Sequence, residues 1–170
     1  MRRLKLALLG AALIAAGALV TRAACGDDLE QLGGMGRPPV WLGAPVGAEG
    51  TGDSLFEAGM AAYEAGRWEA AAETLERVLA AGADPLPTGF FLGVSRLMAG
   101  QPGAAAVALE TVIARGESPY LGEARYYRAK ALLQLDRGDE ALAELEAAET
   151  AGGTIGEAAS ALADSVRDFR

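Results

Sequence analysis

Three hydrophobic rhythms follow one another along the chain. From Leu6 to Val20 every residue is aliphatic, alanine or glycine and none is charged. Such a run has no polar face to offer to water. From Gly26 to Gly52 glycine and proline break any period, with Gly33, Gly34, Gly36, Pro38, Pro39, Gly43 and Pro45 among them. That composition reads as an irregular, flexible tether. Beyond Gly52 apolar residues recur at spacings of three and four, the mark of helices that each bury one face. Alanine, the best helix former, supplies much of the apolar content, and runs of β-branched residues are few. The expected fold class is all-α.

The periodic region also repeats itself. Gly59 maps onto Gly93, Gly66 onto Gly100, Ala71 onto Ala105, Leu75 onto Leu109, Val78 onto Val112 and Leu79 onto Ile113, each at an offset of 34. A third copy follows at an offset of 36, with Ala129, Ala141, Leu145 and Ala148 matching Gly93, Ala105, Leu109 and Val112. The extra residues fall between Gly116 and Tyr120, where a loop absorbs them at little cost. A period of this length marks a stacked array of helix-turn-helix units. Small residues at positions 59, 93 and 129, and at 71, 105 and 141, let paired helices lie close together. Gly66 and Gly100 are placed to end first helices, and Pro85, Pro87 and Pro119 fall between units.

The pattern Gly59-x-x-x-Tyr63-x-x-Gly66-x-Trp68-x-x-Ala71, with Asp139-Glu140-Ala141-Leu142 in the third copy, resembles the tetratricopeptide repeat (TPR). The likeness runs from Gly52 to about Ile155. It implies a right-handed superhelical stack of three repeats, 52–85, 86–121 and 122–155. A capping helix over 156–170 closes the stack, where Ala158, Ala161, Leu162 and Val166 continue the apolar pattern. Two positions depart from the family: Pro102 replaces the aromatic seen at Trp68, and Arg128 stands where a large apolar residue is usual. Arg128 therefore either points outward or marks a local shift of register.

At the N-terminus, Arg2, Arg3 and Lys5 precede the apolar run, so residues 1–25 read as a signal peptide or a single-pass membrane anchor. The positive flank stays on the cytoplasmic side and the rest crosses. Three fates are open. The segment is retained, as a helix from Leu4 to Ala24 of about 30 Å; it is cleaved after Ala23; or Cys25 is lipidated. Ala23-Ala24-Cys25 resembles a bacterial lipobox, from which Arg22 departs. The expectation is an exported, membrane-anchored protein of the bacterial cell envelope, facing the periplasm or the cell exterior. Residues 26–51 would tether the repeats to the membrane. Within that linker, Trp41 either packs on the first helix or forms a short docking motif.

Charge and chemistry narrow the function. The formal charge of −8 becomes −12 once Arg2, Arg3, Lys5 and Arg22 are set aside. So acidic a domain repels phosphate backbones, which excludes nucleic acid as a partner. There is no histidine, so the commonest general base and metal ligand is missing and no serine has its usual activator. The lone Cys25 can form neither an internal disulfide nor a cysteine metal set. The run from Gly43 to Thr51 lacks the Gly-Lys-Ser/Thr ending of a phosphate loop. No catalytic residue, metal, cofactor or small-molecule substrate is expected. Acidic residues such as Glu57, Glu73, Asp139 and Glu144 are scattered and expected to be solvated.

What remains is binding. In the family that the repeats resemble, the first helix of each pair lines a concave groove. One helical stripe there holds Phe56, Met60 and Tyr63, then Phe90, Val94 and Leu97, then Tyr126, Lys130 and Leu133, with Arg125 beside Lys130. The family's basic clamp for acidic peptide ends carries Lys and Asn where this chain has Phe56 and Met60, so that clamp is absent. The expected function is a non-catalytic scaffold that holds a protein or peptide by apolar anchors. The alternative is a self-assembling structural protein of the envelope.

Overall fold

The computed structural model describes residues 29–36, 38–40 and 51–169. The N-terminal run with Cys25, and Trp41, lie outside the described residues. Seven helices follow the tether: α1 (Thr51–Glu64), α2 (Trp68–Ala80), α3 (Pro85–Met98), α4 (Pro102–Ile113), α5 (Leu121–Gln134), α6 (Gly138–Glu149) and α7 (Gly153–Asp168). Each packs against its successor, and α1, α3 and α5 also touch in turn. The result is an all-α, TPR-like superhelical stack of pairs, with first helices along one side and second helices along the other.

The offsets read from the sequence reappear in the backbone hydrogen bonds. Past α1 the amide of Arg67 donates to Ala62 O at 2.9 Å; past α3 Gln101 donates to Arg96 O at 2.8 Å; past α5 Arg137 donates to Leu132 O at 2.9 Å. Each bond closes a six-residue loop around a left-handed residue, the glycine-type helix stop. Gly66 and Gly100 take that conformation at φ 69° and 70°, and in the third copy Asp136 takes it at φ 57°. Aspartate tolerates a left-handed backbone better than most residues. The turn therefore survives the loss of glycine. The second helices begin at equivalent positions, Trp68, Pro102 and Gly138. A proline at a helix start gives up an amide that would have no partner anyway.

The small residues are where the pairs close. A Cβ at Gly93 would stand 2.6 Å from Leu109 Cγ, and one at Gly59 would stand 3.0 Å from Leu75 Cδ2. The third pair, Ala129 and Leu145, is fully buried. Around this seam Ala71, Leu75, Val78, Val94, Ala105 and Leu109 lose all contact with water. At the far end α7 buries Gly156, Ala159, Ala163 and Val166 on the stack and turns Glu157, Ala161 and Asp164 outward.

Arg128 neither points outward nor signals a slipped register. It binds Glu144 and lies 3.5 Å from Glu110, while Arg125 reaches the same Glu144 at 3.1 Å. The expectation of a solvated Glu144 is thereby corrected. Two guanidinium groups converge on it, and its side chain is only 13% exposed. Arg125 accordingly leaves the groove for α6. The large cationic side chain replaces a large apolar one by carrying its counter-ion on the neighbouring helix.

Gly93→Ala is expected to destabilise the protein by about 1–2 kcal/mol, because the new methyl must displace a fully buried leucine. Gly103→Ala, where a Cβ would meet nothing within 4 Å, is expected to be neutral or to stabilise by up to about 1 kcal/mol through helix propensity. Urea denaturation of the two variants checks the contrast.

Candidate functional site

An almost continuous line of rings runs along the first helices, starting from Trp68 at the head of α2. Trp68 meets Tyr63 edge-on at 5.3 Å between centroids, and Tyr63 meets Phe91 at 5.1 Å. Phe91 meets Phe90 at 5.2 Å, Phe90 meets Tyr127 at 6.0 Å, and Tyr127 meets Tyr126 at 5.4 Å. The Lys130 ammonium ends the line, 5.6 Å from the centre of the Tyr126 ring. Edge-to-face contacts of this kind hold aromatic planes at fixed angles, so the wall is rigid.

The nine residues expected to line a groove all lie on α1, α3 and α5, but most are not open to solvent. Phe56, Met60, Tyr63, Phe90, Val94, Leu97, Lys130 and Leu133 are buried; Tyr126 alone is half-buried. Two causes separate. Val94, Leu97 and Leu133 sit in the hydrophobic core among the helices. Tyr63 and Lys130 are bonded to carbonyls of the chain's own residues 33–36 and 38–40, which lie on this wall.

That segment is the feature the sequence did not disclose. Residues 29–32 form a helical turn, with Leu29 and Leu32 packed on the C-terminal core cluster. Leu29 rests on Gly138, with its Cδ1 3.4 Å from where a Cβ would be. Gly138 occupies the place that Trp68 fills in the first copy, so leucine from the tether takes up the room an absent aromatic leaves. Gly33 then touches α5 so closely that a Cβ would lie 2.7 Å from the Lys130 carbonyl oxygen. Gln134 Nε2 donates to Gly33 O at 2.9 Å, Lys130 Nζ donates to Gly34 O, and Tyr63 Oη donates to Pro39 O at 2.9 Å. Between them Met35 packs against the larger core cluster. The segment described as a free tether therefore crosses from α5 back to α1, and leaves the surface at Val40, which is 67% exposed.

Electrostatics follow burial. Lys130 pairs with no carboxylate among the described residues, and desolvation lowers its pKa. Desolvation is also the largest cause for all four tyrosines. Tyr127 is pushed up to about 12, with Tyr126 and Glu123 adding to the rise. Tyr63 is raised further, with Tyr127 as the second cause. Tyr120, beside Asp84 and Glu123, and Tyr126 are raised as well. Away from the wall, a cleft of about 690 Å³ opens between the α4–α5 and α6–α7 loops, lined by Ser118, Leu121, Arg125 and Ile155 among others. Its arginine is committed to Glu144. Among the described residues no group of three metal-ligating side chains converges.

A tyrosine whose folded pKa exceeds its unfolded value of 10.0 keeps a proton that the unfolded chain gives up. Its stabilising contribution is complete below that value and declines as pH rises above it. An alkaline titration followed by tyrosinate absorbance should show all four tyrosines ionising above pH ~10, together with loss of helical circular dichroism. Four tyrosines ionising near pH ~10 on an intact helical signal would contradict the wall.

No family model matches the chain, and no curated protein matches it either. Solved structures do. PcrH from Pseudomonas aeruginosa superposes with a TM-score of 0.60 at 18% identity, over 72% of this chain and 93% of that one. PcrH in complex with the chaperone binding region of PopB gives a TM-score of 0.56 at 21% identity, over 74% and 98%. At these identities the likeness is one of fold. It also corrects the expectation of an exported, membrane-anchored protein facing the periplasm or cell exterior, because it points away from periplasmic export. Among the described residues no helix is long and apolar enough to cross a membrane. A basic flank before an apolar run describes composition, and composition alone does not assign a destination. The chain shares the helical-repeat architecture of PcrH.

Proposed function

We propose that this chain is a non-catalytic protein-binding module that holds an extended segment of a partner protein along the wall of α1, α3 and α5. The observation that carries the reading is the row of side-chain donors on the first helices. Tyr63, Lys130 and Gln134 are spent on main-chain carbonyls of an irregular segment. Donors aimed at carbonyls recognise a polypeptide whatever its side chains, and the aromatic wall beneath supplies apolar contact. The PcrH complex with the chaperone binding region of PopB supports the reading by analogy of fold. Catalysis finds no support in a chain without histidine.

Of the nine groove candidates Tyr126 is the one to use as a probe, because replacing Phe90 or Leu97 would damage the core before it reported on binding. A photo-crosslinking phenylalanine analogue at position 126, introduced in the native host, is expected to trap a partner through an extended stretch of its chain. The same analogue at Val107, exposed on α4, is the control and is expected to trap little. Equal yields from both positions would place binding elsewhere and sink the reading.

A further inference from the structure

We propose that the described residues 33–36 and 38–40 are a resident pseudo-ligand. They hold the wall in the place of a partner segment of the same chemistry, which must displace them to bind. The inference rests on the reading of this wall as the binding surface. It adds what the ligand looks like and what guards the site.

The segment behaves as a bound peptide rather than as a linker passing by. Its carbonyls at Gly33, Gly34 and Pro39 are each taken by a side chain of α5 or α1. The five residue-to-residue steps from Gly34 to Pro39 reach about 17 Å when extended. That matches two steps of about 8–10 Å between packed helices, so an extended chain is the form that can be read from α5 to α1. The contact is selective at one end, since any side chain at position 33 would strike the α5 backbone at the Lys130 carbonyl. Glycine there is a requirement of docking. Two residues on, Met35 supplies an unbranched apolar side chain that adapts to the wall. Pro38 and Pro39 lack amide donors and hold the backbone extended before it departs. The partner these features describe is an extended segment with a glycine, an unbranched apolar residue two positions later and prolines beyond. Because 33–40 is tethered to the repeats, its effective concentration is high, and a free competitor of equal contact quality binds weakly until the tether lets go.

The test uses a fluorescently labelled synthetic peptide of residues 29–40 and the full-length protein. Fluorescence anisotropy compares native protein with Gly33→Leu and, separately, Leu29→Asp. Both substitutions lie outside the repeats, and circular dichroism confirms that the helices persist. Both variants are expected to bind the peptide at least about tenfold more tightly than native protein does. A peptide carrying Gly33→Leu is expected to bind none of them. Equal binding to native protein and variants would overturn the pseudo-ligand while leaving the wall a peptide site. No binding to either folded variant would overturn it too, and crosslinking from position 126 would then judge the wall by itself. Undiminished binding of the Gly33→Leu peptide would overturn the docking register.

Discussion

How closely each first helix can lie against its second governs the rest of this molecule. At Gly59 and Gly93 the approach is so tight that a methyl group would intrude on Leu75 or Leu109, and at Ala129 the third pair closes over Leu145. Close approach buries the leucines completely and orients the first helices so that their remaining apolar faces form one surface. Dispersion contacts fall off steeply with separation, so a gap of half an ångström along this seam would forfeit much of the packing energy. The aromatic line from Trp68 to Tyr126 is a consequence. Rings on separate helices can meet at centroid distances of 5.1–6.0 Å only if the helices beneath them are fixed.

A wall of that kind creates a polar problem of its own. Tyr63, Lys130 and Gln134 emerge from it with hydrogen-bond donors in surroundings poor in water, where an unsatisfied donor costs about 1–3 kcal/mol. Lys130 is the severest case, since the ammonium of a residue only 8% exposed has a ring face and one carbonyl instead of a carboxylate. The chain resolves this by returning its own N-terminal segment across the wall, so that each donor finds a main-chain oxygen. Occupancy of the wall and satisfaction of its donors are thus coupled. Whatever lies there must present carbonyls at the right interval, and an apolar surface alone would leave the donors unpaired.

The repeats were legible in the sequence because they are specified by short-range rules: a fixed offset, small residues at facing positions, and glycine at helix stops. The third copy held its register even where Asp136 replaced glycine and Arg128 replaced an apolar residue. In both cases the backbone geometry was kept and the side chain found local compensation. The groove was legible only in part. Helical spacing placed Phe56, Phe90 and Tyr126 on one stripe, but it cannot tell a side chain facing solvent from one facing the next helix, and it passed over Phe91 and Tyr127 in the aromatic line. The docking of residues 33–40 left no periodic trace. It depends on contacts between residues about a hundred positions apart, such as Gly33 with Gln134. Its signals, a Gly-Gly pair and a Pro-Pro pair, are also those of a linker. Gly138 at the position of Trp68 was the one available hint that something else fills that space.

The measurement that bears most directly on this account is the methyl NMR spectrum of methionine-labelled full-length protein. The chain has four methionines, so the Met35 methyl can be assigned by substitution. Docked against the aromatic wall, it should resonate away from its random-coil position and show nuclear Overhauser contacts to ring protons of the core. A Met35 methyl at its random-coil position, without contacts to any ring, would mean that the segment does not occupy the wall in solution.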